Sequence, residues 1–281
     1  MRELISWAAA AVGRVVAVHP LHDDQGPWRL DVVHNGVNRQ YVLRAPTPRI
    51  GQSMIATGAT ALQVAEHHDL PAPRLIAADL TGDQSGTPAS LETMIAGTTS
   101  WPDGSPERLR AAGAALARLH TVSMGPREHL PFRPRPIAVD DFATDRRLGR
   151  MPTTALLQQA DALITAHGRP DEPSVYLHGD VWPGNMLWSG NQVTAFIDWK
   201  TAGVGALGVD LSELRKQAAI TFGPEAPTEV LTGYQQSTGH PAPHVPYWDA
   251  VAALNTPTTC WTPTATIRRN NFLKTALQNL P

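Results

Sequence analysis

The chain has 281 residues, 42% of them apolar and 17% charged, and a formal net charge of −2 from 23 basic and 25 acidic side chains. That is enough apolar material for one two-lobed domain or two small ones, and the balance excludes a disordered chain and a strongly basic nucleic-acid binder. Cys260 is the single cysteine, which excludes an internal disulfide and a cysteine-built zinc site and leaves it as a small buried apolar side chain.

At the N-terminus, Trp7–Val12 is apolar, but Glu3 interrupts the basic flank a signal peptide needs and Arg14 follows too soon for a cleavage site. No run approaches the roughly 20 apolar residues that span a bilayer, so a cytoplasmic location without membrane contact is expected. Arg14–Leu21 and Trp28–His34 are β-prone segments around a loop, HDDQGP, in which Gly26 is free to take unusual dihedrals. Asn35-Gly36 is a hairpin signal that leads into a third strand over Arg39–Arg44. Ser53–His68 reads as a helix that stops before Pro71 and Pro73, and Arg74–Asp79 and Ser90–Ile95 complete a five-stranded antiparallel sheet.

Gly97 marks a change of texture to helices punctuated by prolines. Ser105-Pro106-Glu107 is a helix start, with a capping hydroxyl, proline at the first position and an acid in the first turn. Leu109, Ala112, Leu116 and Leu119 then recur at helical spacing. The proline-rich PFRPRP at Pro131–Pro136 reads as a stiff surface connector. Further helices are expected over Pro152–His167, Asp210–Ile220, Thr228–Ser237, Tyr247–Asn255 and Ile267–Leu280.

Between these helices lies the stretch that carries chemistry, VYLHGDVWPGNMLWSGNQVTAFIDW, residues Val175–Trp199. A short buried strand, Val175-Tyr176-Leu177, opens into a loop at Asp180, where an acid can orient a hydroxyl or simply cap the next turn. Pro183-Gly184 forces the chain back and brings Asn185 towards Asp180. A second hairpin turns at Gly190-Asn191 and ends at Asp198. One carboxylate can steer an incoming hydroxyl, while the amide and the second carboxylate are hard oxygen donors suited to magnesium on nucleotide phosphates.

HGDxxxxN followed by IDW resembles the catalytic segment of the aminoglycoside phosphotransferase and choline kinase-like family, small-molecule relatives of the protein kinases. YVLR at Tyr41–Arg44, LPAPRLIAAD at Leu70–Asp79, LETMIAG at Leu91–Gly97, LARLH at Leu116–His120, GVDLSELR at Gly208–Arg215 and the GYQQSTGHP stretch extend the likeness over nearly the whole chain. The resemblance implies an α+β, protein-kinase-like two-lobed fold. A small antiparallel sheet with one helix would form an N-terminal nucleotide-binding lobe over residues 1–96, and residues 97–281 a larger, mostly helical lobe. It implies Asp180 as catalytic base, Asn185 and Asp198 as ligands of Mg2+, and His178 as a structural residue. Arg44 would grip the α- and β-phosphates of ATP or GTP, and Thr93 and Ile95 would meet the base at the hinge. Asp210 would brace the catalytic loop.

The sequence departs from the family pattern in three places. The phosphate-binding cation is Arg44 where lysine is usual; its fixed fork still suits phosphate oxygens. The acid expected on the next helix falls at Gly58, and Glu66, eight residues and about 12 Å further on, is too distant to replace it simply. The HDDQGPW segment is not a full glycine-rich loop, although backbone N–H groups around Gly26 suffice to cover phosphates. Lys200, directly after IDW, either contacts phosphate or faces solvent.

These features point to phosphoryl transfer from ATP or GTP to a hydroxyl of a small, cationic acceptor. The foremost reading is an antibiotic, an aminoglycoside or a basic peptide such as capreomycin or viomycin. Carboxylates able to meet such a cation are Asp140, Asp141, Asp145 and Glu213, with Trp182 placed to stack on it. Each has a plainer alternative: Asp140 and Asp141 as a helix start, Glu213 paired with Lys216 or Arg215 on a solvated face. A kinase of choline, homoserine, methylthioribose or a sugar is the alternative within the class. A regulatory pseudokinase and a metallohydrolase built from His67, His68, His120 and His178 are the alternatives outside it. No nucleic-acid partner is expected, and the chain is read as monomer or dimer.

Overall fold

The computed structural model describes residues 1–22, 26–99, 101 and 103–281 and divides into two compact units, Met1–Gly97 with Ala195–Lys200, and Thr98–Thr194 with Thr201–Pro281. The excursion of Ala195–Lys200 into the first unit is not visible in the sequence, which suggests one break near residue 96. Its local cause is plain: the Phe196 N–H donates to the Pro71 carbonyl at 2.8 Å, and the Trp199 side chain is buried.

In the first unit, β1 (Arg14–Pro20), β2 (Trp28–His34), β3 (Val37–Arg44), β4 (Leu75–Asp79) and β5 (Ala89–Thr93) form an antiparallel sheet in the order β1-β2-β3-β5-β4. Asn35 and Gly36 both take positive φ, 52° and 76°, as the tight β2–β3 turn requires. Two helices accompany the sheet where one is expected from the sequence. Besides α2 (Gln52–His67), Arg2–Val12 is helical (α1), and Leu4, Ala8 and Val12 at a spacing of four bury one stripe against Leu30, Val32, Leu43 and Leu91. The apolar stretch Trp7–Val12 is thus part of a packed helix, with Ala8 and Val12 on its buried face.

Strand alternation fixes what the other sheet face carries. Leu43 pairs with Leu91 towards α1, so Val42 and Arg44 of β3, with Ser90 and Glu92 of β5, project to the opposite side. In that register Arg44 and Glu92 are diagonal cross-strand neighbours, within reach of long side chains.

The second unit is built on α3 (Pro106–Leu119), α4 (Phe142–Arg147), α5 (Ala155–His167), α6 (Gly208–Phe222), α7 (Ala226–Thr238), α8 (Val245–Leu254) and α9 (Pro263–Gln278). The Ser105 hydroxyl makes no cap bond to α3; Thr154 does cap α5, accepting from the Leu157 N–H at 3.3 Å. Helices α3 and α7 touch backbone to backbone. A Cβ on Gly113 would run into the Val230 carbonyl, and one on Gly233 into that of Arg110.

Two short strands, β6 (Val175–Leu177) and β9 (Gly203–Gly205), pair antiparallel with Tyr176 opposite Val204. PFRPRP is not a surface connector. It lies along β9, with the Arg133 N–H donating to the Val204 carbonyl at 2.8 Å and the Val204 N–H to the Pro131 carbonyl at 3.0 Å. The glycines of β9 leave room for this: a Cβ at Gly203 or Gly205 would collide with the backbone of Pro131 or Arg133. The strands β7 (Met186–Ser189) and β8 (Gln192–Phe196) form the second expected hairpin. No helix among the described residues is long and apolar enough to cross a membrane.

Candidate active site

In the second unit, α6 positions the loop that leaves β6. Asp210, in its first turn and fully buried, accepts the N–H groups of His178 at 2.7 Å and Gly179 at 2.9 Å. Gly179 has φ of 82° and lies so close to the Thr201 carbonyl that a side chain would not fit. His178 is fully buried, and its Nδ1 accepts the Asp180 N–H at 3.3 Å. Behind Asp210, His120 Nε2 stands 3.5 Å from its carboxylate while His120 Nδ1 contacts the Tyr234 hydroxyl at 2.9 Å. Burial, with the Asp210 charge adding to it, raises the phenols of Tyr176 and Tyr234. The loop is therefore held from behind by a buried anion bonded to its backbone.

Asp180 emerges from this scaffold partly exposed. Asn185, in a single 3-10 turn over Pro183–Asn185, is buried and donates its Nδ2 to the Asp180 carbonyl at 2.9 Å. That bond sets the amide so that Oδ1, an acceptor, is the atom left for a cation. Gly184 is needed because the Trp182 ring lies over it, and Trp182 keeps 44% of its surface exposed.

In the first unit, Arg44 holds two carboxylates. Its Nε and Nη2 reach Glu92 Oε1 at 3.1 and 3.0 Å, and Nη1 reaches Asp198 Oδ1 at 2.9 Å. Burial alone would lower the guanidinium; Glu92 and Asp198 outweigh it and hold Arg44 above the usual arginine value. Asp198 has φ of 66°, an uncommon backbone state for a non-glycine residue, and its Oδ2 contacts Lys200 Nζ. A Cβ on Gly58 of α2 would stand 3.8 Å from the Lys200 backbone nitrogen, an ordinary contact. The partner that the sequence seeks on α2 is thus supplied from the sheet by Glu92, which sequence reasoning missed although it stands within LETMIAG. Glu66 instead pairs with Arg74 at 2.5 Å. Replacing Glu92 by alanine is expected to cost about 2–4 kcal/mol in chemical denaturation, since it removes one partner of a nearly buried ion pair while Asp198 remains.

The other expected site residues are placed unevenly. Thr93 ends β5, its N–H donating to the Arg74 carbonyl at 3.0 Å and its hydroxyl accepting the Arg74 N–H at 2.9 Å. Ile95, just beyond, borders a recess shared with Val16, Val32, Met94 and Gly97. Gly26 has φ of 91° and lies against the Trp28 ring, and the remainder of the expected phosphate-covering loop, 23–25, lies outside the described residues.

Glu213 is a correction. It is fully buried, pairs with Lys216 at 2.6 Å and Gln217 at 2.8 Å, and faces no solvent through which an acceptor could reach it. Burial raises its carboxyl against the pull of Lys216, and the nearby Asp180 charge adds to the rise. Asp141 caps α4 through the Thr144 N–H at 3.1 Å and pairs with Arg135 at 3.1 Å, while Asp145 pairs with Arg150 at 3.5 Å. Asp140 differs: its backbone N–H donates to the Ile137 carbonyl at 2.9 Å and its carbonyl accepts from Arg135 Nε at 2.9 Å, while its carboxylate forms no ion pair among the described residues. Its segment is tied to the catalytic loop, because the Ile137 N–H donates to the Gly179 carbonyl at 2.8 Å.

Among the described residues no group of three or more His, Cys, Asp and Glu side chains is arranged to hold a metal. His67 and His68 have perpendicular rings, and His120 and His178 are committed to the scaffold behind Asp180.

An antiparallel five-stranded sheet with a paired cation at the end of β3, together with a helical unit bearing a braced HGD loop, defines an α+β phosphotransferase of kinase-like fold. The family model described as the phosphotransferase enzyme family matches residues 20–254, and the chain belongs to that family. It is accordingly an enzyme that transfers phosphate to a small-molecule hydroxyl. No curated protein is detectably similar in sequence. Solved structures share the fold at low identity. The macrolide 2'-phosphotransferase MphH from Brachybacterium faecium is 20% identical, with 99% of this chain and 98% of that one covered and a TM-score of 0.62. An amicoumacin kinase, solved with AMP-PNP, Ca2+ and Ami, is 12% identical, with 100% and 94% covered and a TM-score of 0.66. The aminoglycoside phosphotransferase APH(4)-Ia is 14% identical, with 99% and 98% covered and a TM-score of 0.63.

Proposed function

We propose that the chain transfers the γ-phosphoryl group of ATP to a hydroxyl of a small molecule, an antibiotic in the foremost reading, with resistance as the outcome. Asp180 orients and deprotonates the acceptor hydroxyl. The observation that carries this is the pairing of a partly exposed Asp180 with an Asn185 whose amide nitrogen is bonded to the Asp180 carbonyl, so that a carboxylate and an amide oxygen are offered from one rigid turn. Asn185 Oδ1 and Asp198 are hard oxygen donors that fit Mg2+, and the Asp198 carboxylate already draws two cationic side chains. Mg2+ held there would neutralise charge on the transferring phosphates. Arg44, fixed by Glu92, adds a positive charge beside Asp198, so catalysis rests on positioning and charge neutralisation. The amicoumacin kinase bound to AMP-PNP and an APH(4)-Ia variant bound to ADP and hygromycin B support adenine nucleotide as the co-substrate.

The acceptor reading is sharpened by the pairing of the acids. Asp141 and Asp145 are neutralised by arginines and Glu213 is buried, which leaves Asp140 beside the exposed Val139 on the segment tied to Gly179. One carboxylate and an exposed Trp182 suit an acceptor with a single amine and an apolar face better than a polycation. The test is Mg2+-dependent nucleotide turnover measured against macrolides, aminoglycosides, basic peptides, choline and sugars. Stimulation by an amine-bearing acceptor is expected. Nucleotide binding without stimulation by any of them would favour a pseudokinase. In the stimulated reaction, Asp140→Asn is expected to raise the acceptor KM about tenfold or more at nearly constant kcat.

A further inference from the structure

Among α6, α7, α8 and α9 the second unit holds a cavity of about 400 Å³, within the range of small-molecule sites, roughly 300–1,000 Å³. Ala219, Pro227, Leu231, Val245, Phe272 and Ala276 make most of its wall apolar. The cavity is separate from the braced loop. Arg215 and Ala219, which bring α6 to it, lie about 140° and 180° round the helix from Asp210.

Two arginines border the cavity, and they differ in one respect. Arg215 gives Nε and Nη2 to Asp249, at 3.0 and 2.8 Å, and Nη1 to the Pro227 carbonyl at 2.6 Å, so this ion pair is complete and its charges cancel. Arg268 likewise spends Nη1 on backbone carbonyls, those of Ile220 at 2.9 Å and Thr221 at 2.6 Å, but forms no ion pair among the described residues. Its Nε–Nη2 edge is bonded to none of them, whereas Arg215 fills that edge with Asp249 and Arg44 fills it with Glu92. That edge grips a carboxylate side-on through two parallel bonds. Asp249 is the one acid of the cavity wall, so the wall carries one positive charge that no acid offsets.

We propose that this cavity is a second binding site, taking a small carboxylic acid with an apolar body. The carboxylate lies on the Nε–Nη2 edge of Arg268 and the body against Leu231 and Phe272. Burial of the body supplies affinity, and the carboxylate supplies selectivity. The site stands apart from the phosphoryl-transfer reading, because binding to it is measured with neither nucleotide nor acceptor present.

The test is isothermal titration calorimetry with naphthaleneacetate, with naphthaleneacetamide as its uncharged counterpart and decanoate as a flexible-chain acid. One acid per chain should bind the wild-type protein, and naphthaleneacetate should bind about tenfold or more tighter than its amide. Arg268→Met should erase that difference. Leu231→Trp, which fills the cavity from a half-buried position, should weaken both acids about tenfold or more. Thermal melts check that both variants are folded. Tighter binding of naphthaleneacetate assigns a ring-bearing ligand, and tighter binding of decanoate a chain-bearing one. Three results overturn the proposal: no saturable binding of either acid below about 1 mM, a preference for acid over amide that survives Arg268→Met, or affinity unaffected by Leu231→Trp.

Discussion

Replacing Asp180 by asparagine is expected to lower kcat by about 10³-fold while nucleotide affinity stays within about twofold of wild type. The contacts of the residue explain why the two parameters separate. Asn185 is bonded to the Asp180 backbone carbonyl and His178 to the Asp180 backbone N–H, so neither bond is lost when the carboxylate becomes an amide. The amide keeps the shape of the side chain but cannot accept a proton from an acceptor hydroxyl. Melting temperature should therefore hold, and the loss should fall on the chemical step. Steady-state kinetics with an acceptor identified by turnover, together with nucleotide titration of the same variant, measure both quantities. Activity near wild type would remove Asp180 from its role as base.

Much of this site is legible in the sequence because its positions are set by local signals. The β-branched and aromatic run Val175-Tyr176-Leu177 makes the strand, Gly179 permits the turn, and Pro183-Gly184 returns Asn185 to Asp180. Asp210 follows the same logic, as an acid in the first turn of α6. What stays hidden depends on contacts between residues far apart in the chain. Glu92 becomes the partner of Arg44, 48 residues away, only once the β3–β5 register puts them on one diagonal. The three arginines and lysines that decide which acids remain available, Arg135, Arg150 and Lys216, look no different in sequence from other surface charges. α1 is hidden for another reason: its apolar run is short, and the stripe Leu4-Ala8-Val12 has meaning only against a sheet face.

Asp210→Ala is expected to lose stability and activity together. The carboxylate is fully buried and accepts two backbone N–H groups, and both would be left without a partner in a site that water does not reach. At about 1–3 kcal/mol for each of the two orphaned donors, the loss is roughly 2–6 kcal/mol, a large share of the 5–15 kcal/mol typical of a folded domain. Asp210→Asn keeps the volume but turns an NH2 group towards one of the two N–H donors, so it recovers only part of the difference. His120 adds to the sensitivity of the position, since its buried Nε2 faces the same carboxylate at 3.5 Å and would lose that polar neighbour with it. Because the two donors belong to His178 and Gly179, the residues that deliver Asp180, the loop relaxes where catalysis needs it fixed. Urea denaturation and kcat, measured on Asp210→Ala, Asp210→Asn and Asp180→Asn, separate the two kinds of acid. Asp180→Asn should fall in kcat alone, whereas both Asp210 variants should fall in midpoint as well, the alanine further. An Asp210→Ala protein with a wild-type midpoint would mean that the loop is held by other contacts and that the buried anion behind it is dispensable.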